Sequence, residues 1–409
     1  MAPLTSLLAA ASLAGLVAAI PAPKMGVTTG SQVRQVRNPN YVFNGPQALY
    51  KAQLKYGKAP SERTKKAVER SKAYLAKRDE GSATATSQSN DVEYTIPVSI
   101  GTPAQVLQLD LDTGSSDLWV FSTETESDQV NGQTLFDPSQ SSSASYMDGY
   151  TWSISYGDGS TSNGDIYTDV VTIGGITVSS QAVEQAQSVS ATFTRDSASD
   201  GLLGMAFDSI NTAQPSQVET FFDNAQSSLD SFLFTADLKH NTDGSYGFGY
   251  IDSSLYTGDI TYVDVDNSQG FWGWTSGGYA VGSDDYVTTD IVGIADTGTT
   301  LLLLDDSIVE AYYNEIDGSS NSDTYSGYVF PCSSSVPSFT FGVGSTTFTI
   351  PSDYMNTGAV YDDDSTCFGG LQSSSGTGTN IFGDVALKSA FVVFSGADSP
   401  TLGWATKNL

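Results

Sequence analysis

The chain has 409 residues, of which 46 are acidic and 17 are lysine or arginine, so its formal net charge at pH 7 is −29. A chain of this length usually divides between two hydrophobic cores, and so acidic a surface repels nucleic acid and anionic membranes, neither of which is expected as a partner. His240 is the only histidine, and there is no phosphate-binding glycine motif, so we expect hydroxyl and carboxylate chemistry with no metal and no other cofactor.

An apolar stretch over residues 4–20 ends in small residues and is followed by two prolines. This pattern predicts a secretory signal peptide over residues 1–19, with cleavage near Ala19, and hence a secreted, extracellular protein. A membrane anchor is the alternative, because the stretch reaches the lower limit of length for a membrane span. An acidic vacuole is the alternative destination.

Residues 20–78 form a basic block. They contain 13 lysines and arginines against two acidic residues, whereas the chain from residue 79 onward has four basic and 44 acidic residues. We interpret the block as an activation prosegment that is attracted to the acidic body until it is removed. A helical pattern runs between residues 45 and 78, and the dibasic pair Lys77 and Arg78 marks the expected processing site. A basic tail that binds another partner is the alternative.

Past residue 90 the chain changes character. Short runs rich in Val, Ile, Thr, Phe and Tyr are separated by Gly, Ser, Asn and Asp, which is typical of an all-β protein. Helical patterns return only briefly, over residues 216–228 and 305–316. We therefore expect an all-β fold with few short helices.

An internal repeat divides this β region. An apolar run, Asp-Thr-Gly and a hydroxyl residue occur at Asp112 and again at Asp296. An apolar–apolar–Gly motif follows each, 92 residues later at Gly204 and 87 residues later at Gly383. Matched motifs at matched spacing predict two homologous β lobes that face each other.

The two Asp-Thr-Gly motifs suggest one active site. If the repeats meet across a two-fold axis, Asp112 and Asp296 lie too close for both to ionise, so one keeps a proton. A water between them can then lose a proton to one carboxylate while the other donates to a peptide carbonyl oxygen. The neighbouring N–H groups and hydroxyls are expected to bind the carboxylates and to cross-link the two loops. These supporting residues are Thr113, Gly114, Ser115, Thr297, Gly298 and Thr299.

From about residue 91 to residue 409 the sequence resembles the pepsin-family aspartic endopeptidases, above all their secreted fungal members. The resemblance runs through "IGTPAQVLQLDLDTGSSDLWVFS", "WSISYGDGS", "DGLLGMAF", "GIADTGTTLLLL", "YVFPC", "CFGG" and "NIFGDVALKSAFVVF". It implies a bilobal, pseudo-symmetric pepsin-like acid protease fold. The lobes are expected at residues 79–270 and 271–409, with the active-site cleft between them.

The resemblance also implies a β-hairpin flap over the cleft, in the first lobe. Tyr156 takes the place of the family's flap tyrosine, next to Gly157, and Trp119 takes the place of the tryptophan that bonds it from below. Thr300 is assigned to substrate binding on the same basis. Simple packing is the alternative role for Tyr156 and Trp119. Asp158, at the flap tip, is expected to pair with a lysine at P1, with a solvated turn aspartate as the alternative.

Within the prosegment, "LKYG" resembles the element whose lysine lies over the two catalytic aspartates near neutral pH. The resemblance therefore assigns inhibition to Lys55, with Tyr56 beside it, and a neighbouring lysine is the alternative. Cys332 and Cys367 are the only cysteines. In an exported protein we expect them to form one disulfide, with two free thiols as the alternative.

These patterns predict a monomeric zymogen that is activated by acid and then hydrolyses internal peptide bonds of proteins. The resemblance implies bulky apolar residues at P1 and P1′. The expected partners are protein and peptide substrates, the chain's own prosegment, and statine-type inhibitors such as pepstatin. A non-catalytic pepsin-fold binding protein is the first alternative and a glycoside hydrolase, which also uses two carboxylates, is the second.

Overall fold

The computed structural model describes residues 31–37, 43–56, 58–79, 94–155 and 161–409. The predicted signal peptide and the predicted flap residues Tyr156, Gly157 and Asp158 lie outside these ranges. No helix within them is both long and apolar enough to cross a membrane.

Strands dominate the first half of the described chain, and its two longest helices both precede residue 80. In chain order the elements are β1 (Ser31–Arg34), β2 (Val36–Arg37), α1 (Gly45–Lys55), α2 (Glu62–Asp79), β3 (Tyr94–Ile100), β4 (Gln105–Asp112), β5 (Leu118–Phe121), β6 (Ser145–Ser155), β7 (Thr161–Ile173), β8 (Ile176–Val189), α3 (Ala191–Arg195), β9 (Gly201–Gly204), α4 (Phe221–Ala225), β10 (Leu233–Asp237) and β11 (Ser245–Phe248).

The second half is again mainly strands. Its elements are β12 (Thr257–Asp264), β13 (Gly273–Val281), β14 (Val287–Ala295), β15 (Leu302–Leu304), α5 (Asp306–Tyr313), β16 (Ser320–Ser322), β17 (Gly327–Pro331), β18 (Phe339–Val343), β19 (Thr346–Ile350), β20 (Asn356–Val360), β21 (Asp363–Gly369), β22 (Leu371–Ser373), β23 (Asn380–Phe382), α6 (Asp384–Leu387), β24 (Phe391–Ser395) and β25 (Thr401–Thr406).

Two large sheets repeat the same strand order. One contains β3-β4-β9-β5-β8 in sequence across the sheet, and the other contains β13-β14-β23-β15-β22. In both sheets the strand that leads into Asp-Thr-Gly pairs in parallel with the strand of the apolar–apolar–Gly motif, so Asp112 lies opposite Gly204 and Ala295 opposite Phe382. The predicted all-β architecture with two repeated lobes is confirmed.

A six-stranded sheet joins the two halves in the order β1-β11-β10-β24-β25-β12. At its centre Phe234 of β10 stacks on Phe394 of β24 with ring centroids 4.6 Å apart, and Trp272 packs edge-on against Phe394 at 5.2 Å. These three side chains are buried, so the junction is part of the main hydrophobic core. The boundary predicted at residue 270 stays a prediction, since this sheet takes strands from both sides of it.

The disulfide lies in the second half. Cys332 follows β17 and is bonded to Cys367 of β21, closing a loop with a sequence separation of 35 residues. Both strands belong to a four-stranded sheet in the order β16-β17-β21-β20. The expected disulfide is therefore present.

The helical pattern of the predicted prosegment corresponds to α1 and α2. Helix α1 begins where the Asn44 side chain accepts a hydrogen bond from the N–H of Gln47 (3.1 Å), and it ends at Lys55. Its Ala48, Leu49 and Ala52 lie on one face and pack into an apolar cluster of the second half. The other members of this cluster are Ile294, Leu301, Leu303, Val329, Val360, Phe368 and Ile381. Packing of this face fixes where the end of α1 lies.

The sequence did not predict the two strands that precede α1. β1 pairs with β11 and β2 pairs with β3, so residues before α1 complete two of the sheets. Short strands of this kind carry no periodicity long enough to recognise, because their partners are distant in the chain.

Candidate active site

Asp112 and Asp296 lie at equivalent places in the two repeated sheets. Asp112 is the last residue of β4, and its carbonyl accepts from the N–H of Met205 at 2.8 Å. Asp296 follows β14 directly, and its own N–H donates to the carbonyl of Phe382 at 3.2 Å. Because both strands lie inside their sheets and their last residues are buried, the carboxyl groups are carried to the interior. Neither aspartate is more than 1 % exposed.

Each carboxylate is held by an equivalent pair of donors, a glycine N–H and a hydroxyl. The N–H of Gly114 donates to Oδ1 of Asp112 (2.8 Å) and the hydroxyl of Ser115 donates to its Oδ2 (2.6 Å). In the second loop the N–H of Gly298 donates to Oδ1 of Asp296 (3.0 Å) and the hydroxyl of Thr299 to its Oδ2 (2.5 Å). These bonds fix both carboxyl planes.

Thr113 and Thr297 connect the two loops. The Thr113 hydroxyl donates to the carbonyl of Ala295 (3.0 Å), and the Thr297 hydroxyl donates to the carbonyl of Leu111 (2.6 Å). Each hydroxyl also accepts the backbone N–H of the other threonine, at 3.0 and 3.1 Å. Four buried hydrogen bonds thus set the separation of the two aspartates.

Replacing Thr297 with valine keeps its shape and removes the hydroxyl. We expect the free energy of unfolding to fall by about 1–3 kcal/mol, because the carbonyl of Leu111 and the N–H of Thr113 lose a buried partner. Urea denaturation at neutral pH measures this loss. Thr349→Val is the matched control, since the Thr349 hydroxyl forms only an exposed bond with Thr340. Equal stability of both variants would contradict the assignment.

The glycines allow the two loops to approach closely. A Cβ atom built on Gly298 would collide with the carboxylate of Asp112, and one built on Gly114 would collide with that of Asp296. Only glycine at both positions therefore lets each carboxylate lie against the backbone of the opposite loop.

The end of helix α1 brings a cation to the two carboxylates. The ammonium Nζ of Lys55 lies 2.7 Å from Oδ1 of Asp112 and 2.9 Å from Oδ1 of Asp296. The Tyr56 hydroxyl donates to Oδ2 of Asp296 at 2.5 Å, and its ring packs edge-on against Phe271. The Lys55 side chain is only 9 % exposed, so one buried ammonium lies between both carboxylates.

The two aspartates have unlike pKa values. Burial raises the pKa of Asp112, and the nearby charge of Asp296 adds to this, against the opposing effect of Lys55. Burial acts in the same direction on Asp296, but the Lys55 ammonium and the hydrogen bonds from Thr299 and Tyr56 together lower its pKa. Burial alone would lower the pKa of Lys55, and the two carboxylates raise it above its ordinary value. Lys55 is thus charged near neutral pH.

A third carboxyl group beside this pair was missed by the sequence analysis. Asp110 lies two residues before Asp112 on β4, and alternate residues of a strand point to the same face. Burial, and then the charges of Asp112 and Asp384, raise the pKa of Asp110 well above its usual range. The alternation of "LDLD" was the signal that could have revealed it.

The remaining predicted residues are placed as follows. Trp119 of β5 is fully buried, with its ring 6.0 Å from that of Trp152 and 4.8 Å from that of Phe193. Thr300 is partly buried in the second loop, and its carbonyl accepts from the N–H of Val385 at 3.0 Å. Lys77 and Arg78 lie near the end of α2.

The family model described as "Eukaryotic aspartyl protease" matches residues 93–407 of this chain. The chain belongs to the eukaryotic aspartyl protease family. The matched range contains both Asp-Thr-Gly loops and every strand of the four sheets of the aspartyl protease except β1 and β2.

Curated relatives of this aspartyl protease are fungal enzymes. It is 58% identical over 375 residues to endothiapepsin from Cryphonectria parasitica. The matched residues cover 91% of this chain and 90% of that relative. It is 53% identical over 386 residues to podosporapepsin from Podospora anserina (92% and 91%) and 51% identical over 404 residues to aspergillopepsin-1 from Aspergillus oryzae (98% and 99%). The predicted resemblance to fungal members of the pepsin family is confirmed.

A solved structure agrees with this assignment. The aspartic proteinase from Irpex lacteus superimposes with a TM-score of 0.64 at 25% sequence identity, covering 78% of this chain and 95% of that protein. The pepsin-like fold is therefore confirmed, and this aspartyl protease is an endopeptidase that hydrolyses peptide bonds of proteins or peptides.

Proposed function

We propose that Asp112 and Asp296 are the catalytic pair of a secreted acid endopeptidase that is made as a zymogen. The observation that carries this proposal is the convergence of two buried carboxylates, one from each repeated loop, on the single ammonium of Lys55. Each carboxylate is held by an equivalent pair of donors, a glycine N–H and a hydroxyl. The two sites differ in that Tyr56 donates only to Asp296.

The proposed reaction uses one proton shared between the two carboxyl groups; aspartic protease pairs are the standard instance of such sharing. The ionised aspartate takes a proton from a water, and the resulting hydroxide attacks the peptide carbonyl carbon. The protonated aspartate donates its proton to the carbonyl oxygen. The aspartate that took the proton from water gives it to the amide nitrogen as the C–N bond of the tetrahedral intermediate breaks. A hydroxyl of the intermediate returns its proton to the other aspartate, giving a carboxylic acid and an amine.

Substrate is proposed to lie in the cleft between lobes at residues 79–270 and 271–409. The Lys55 ammonium lies between the two carboxylates. The proposed reaction needs the water and the scissile carbonyl at this position, so Lys55 must leave before substrate binds. An extended peptide there would be held by main-chain hydrogen bonds and apolar subsites. Tyr156 of the flap, supported by Trp119, and Thr300 are the proposed substrate-binding residues.

Residues 20–78 are proposed to act as an inhibitory prosegment. Lys55 and Tyr56 together contact both catalytic carboxylates, and α1 packs its Ala48–Leu49–Ala52 face against the second half of the chain. Arg63 of α2 adds an ion pair with Asp323 at 3.0 Å. Acid protonates the carboxylates that hold this segment, and cleavage after Lys77 and Arg78 then removes it.

For specificity we propose bulky apolar residues at P1 and P1′, with lysine also accepted at P1 through Asp158. Asp158→Ser is expected to lower kcat/KM for a peptide with lysine at P1 by about 10-fold and to leave a phenylalanine peptide unchanged, since one ion pair is lost. Steady-state kinetics on matched peptides measure this. Unchanged cleavage after lysine in the variant would exclude the proposed pair.

Residues 1–19 are proposed to direct secretion, and the mature enzyme is proposed to work as an extracellular monomer. Its fungal relatives and the exported-type disulfide between Cys332 and Cys367 support this location. Statine-type inhibitors such as pepstatin are the proposed tight ligands, because their hydroxyl would lie between the two carboxylates as a tetrahedral intermediate does.

The test uses the purified full-length chain at about pH 3.5–4, where carboxylates titrate. We expect conversion to a shorter form and digestion of denatured haemoglobin that pepstatin blocks. Haemoglobin digestion that resists pepstatin, or the absence of digestion after the prosegment is removed, would contradict the proposal. No observation within the described residues favours the non-catalytic binding protein.

A further inference from the structure

A second pair of carboxyl groups is buried behind the Asp112 loop. Asp117 ends this loop, directly before β5, and Glu184 lies in β8. β5 and β8 are parallel neighbours with Trp119 opposite Glu184, which brings the two acids together. Both residues are 0 % exposed.

The hydrogen-bond donors around this pair are neutral and incomplete. Oδ1 of Asp117 accepts from the N–H of Thr212 at 2.9 Å and from its hydroxyl at 2.6 Å. The Asn211 amide donates to Oε1 of Glu184 at 3.1 Å. Oδ2 of Asp117 and Oε2 of Glu184 have no hydrogen-bond donor among the described residues.

Two buried negative charges without a cation are strongly unfavourable, and a proton between the two unpaired oxygens removes one of them. Consistent with this, burial and then the adjacent Asp117 charge and hydrogen bond raise the pKa of Glu184 well above its usual range. Burial also raises the pKa of Asp117, and the titratable group that adds to this from outside the pair is Asp112. Asn211 and Thr212, which face the pair from the loop after β9, are uncharged.

The pair is linked to the Asp112 loop by short contacts. Asn211 bonds Glu184 and also donates its amide to the carbonyl of Ser116 at 3.2 Å. The Ser116 hydroxyl donates to the carbonyl of Phe207 at 2.6 Å, and the N–H of Gly204 donates to the carbonyl of Asp117 at 2.9 Å. The preceding residue, Ser115, bonds Asp112 directly.

We propose that a proton shared by Asp117 and Glu184 positions the Asp112 loop, and that loss of this proton as pH rises releases the loop. Glu184 is thus a positioning residue that acts through Asn211 and Ser116. Its effect on activity depends on the catalytic role proposed for Asp112, whereas its effect on stability does not.

The sign of the pH effect follows from the protonated pair. In the unfolded chain Glu184 ionises at its ordinary pKa, while in the folded chain it keeps its proton to higher pH. The folded state therefore binds more protons than the unfolded state, and stability falls as pH rises above the ordinary carboxyl range. Once the folded pair also ionises, its whole contribution to the free energy of unfolding has been lost.

Glu184→Gln tests this, because a glutamine amide can donate to Oδ2 of Asp117 permanently while its oxygen still accepts from Asn211. The acid-activated enzyme is held between about pH 4 and pH 8, returned to acid and assayed. The pH at which half the activity is lost should rise by about one unit in this variant. Glu315→Gln, which removes an exposed charge, should match the natural protein. Coincident midpoints for all three proteins would overturn the proposal.

Glu184→Ala is the second variant. It removes the Glu184 carboxyl group from the Asn211 amide and from Oδ2 of Asp117, although Asn211 keeps its bonds to Ser116 and Asp117. We therefore expect kcat at acid pH to fall several-fold with KM little changed, as a displaced loop predicts. Recovery of kcat in Glu184→Gln but not in Glu184→Ala supports a positioning role, and equal kcat in both variants contradicts it.

Circular dichroism of the full chain carrying Asp112→Asn, with and without Glu184→Gln, separates the two proposals. A midpoint that shifts between these two proteins would retain the carboxyl pair, whereas digestion by Asp112→Asn at the natural rate would reject the catalytic assignment. Pepstatin-sensitive digestion together with identical midpoints would reject the carboxyl pair alone.

Discussion

Asp296→Asn is expected to reduce peptide hydrolysis at acid pH by about 10²–10⁴-fold, and Asp112→Asn is expected to do the same. An asparagine amide preserves the shape and can still accept from Thr299, but it neither takes a proton from water nor gives one to the carbonyl oxygen. KM should change little, because the substrate contacts of the cleft stay in place. Both variants are measured as mature proteins whose prosegment has been removed by an added protease.

The matched control is Asp353→Asn, which removes one carboxylate from an exposed position outside the cleft loops. It should digest peptides at the natural rate. A loss of activity in this control equal to that in Asp296→Asn would attribute the effect to net charge. Near-normal rates in Asp112→Asn or in Asp296→Asn would exclude catalysis by the two aspartates.

Lys55→Met should have the second largest effect, on the zymogen near neutral pH. Removing one partner of a buried ion pair typically costs about 3–5 kcal/mol, because the other charge is left buried without compensation. Here the ammonium forms ion pairs with both Asp112 and Asp296, so its removal deprives the predicted prosegment of its contact with both carboxylates. Urea denaturation at pH 7 measures the loss, and the pH at which self-cleavage begins should rise.

The direction of this pH effect follows from the pKa of Asp296. Because Lys55, Thr299 and Tyr56 lower that pKa, the ion pair stabilises the docked state above the ordinary carboxyl pKa and is lost as pH falls through the lowered value. Under the proposed function, acid is therefore expected to release the predicted prosegment in the natural chain. In Lys55→Met the pair is absent at every pH, so release no longer requires strong acid.

Lys66→Met is the control for this variant, since Lys66 is an exposed lysine of α2 in the same prosegment. It should behave as the natural zymogen in both assays. If Lys55→Met and Lys66→Met begin to self-cleave at the same pH, inhibition does not depend on the Lys55 ammonium between Asp112 and Asp296.

The residues that the sequence revealed share a property: each belongs to a local pattern. Asp112 and Asp296 were found because an apolar strand, Asp-Thr-Gly and a hydroxyl are contiguous in the chain, and their repetition showed two lobes. Lys55 was assigned because "LKYG" resembles the family element whose lysine lies over the catalytic aspartates. Local patterns of this kind are readable without knowledge of the fold.

The residues that the sequence did not reveal depend on pairing between distant strands. Asp117 and Glu184 meet only because β5 and β8 are parallel neighbours in a fixed register. Strands β1 and β2 form only because β11 and β3 offer free edges to the prosegment. Asp110 was visible in "LDLD", but it is only partly buried, and its proximity to Asp384 depends on the fold.

The most direct test of the two-aspartate site is a double-mutant cycle. Hydrolysis of one peptide at acid pH is measured for the mature natural enzyme, Asp112→Asn, Asp296→Asn and the variant carrying both changes. Residues that act as one catalytic unit are strongly non-additive. We predict that the double variant is no slower than either single variant within a few-fold. A double variant whose loss equals the product of the two single losses would show that the aspartates act independently and would contradict the shared-proton site.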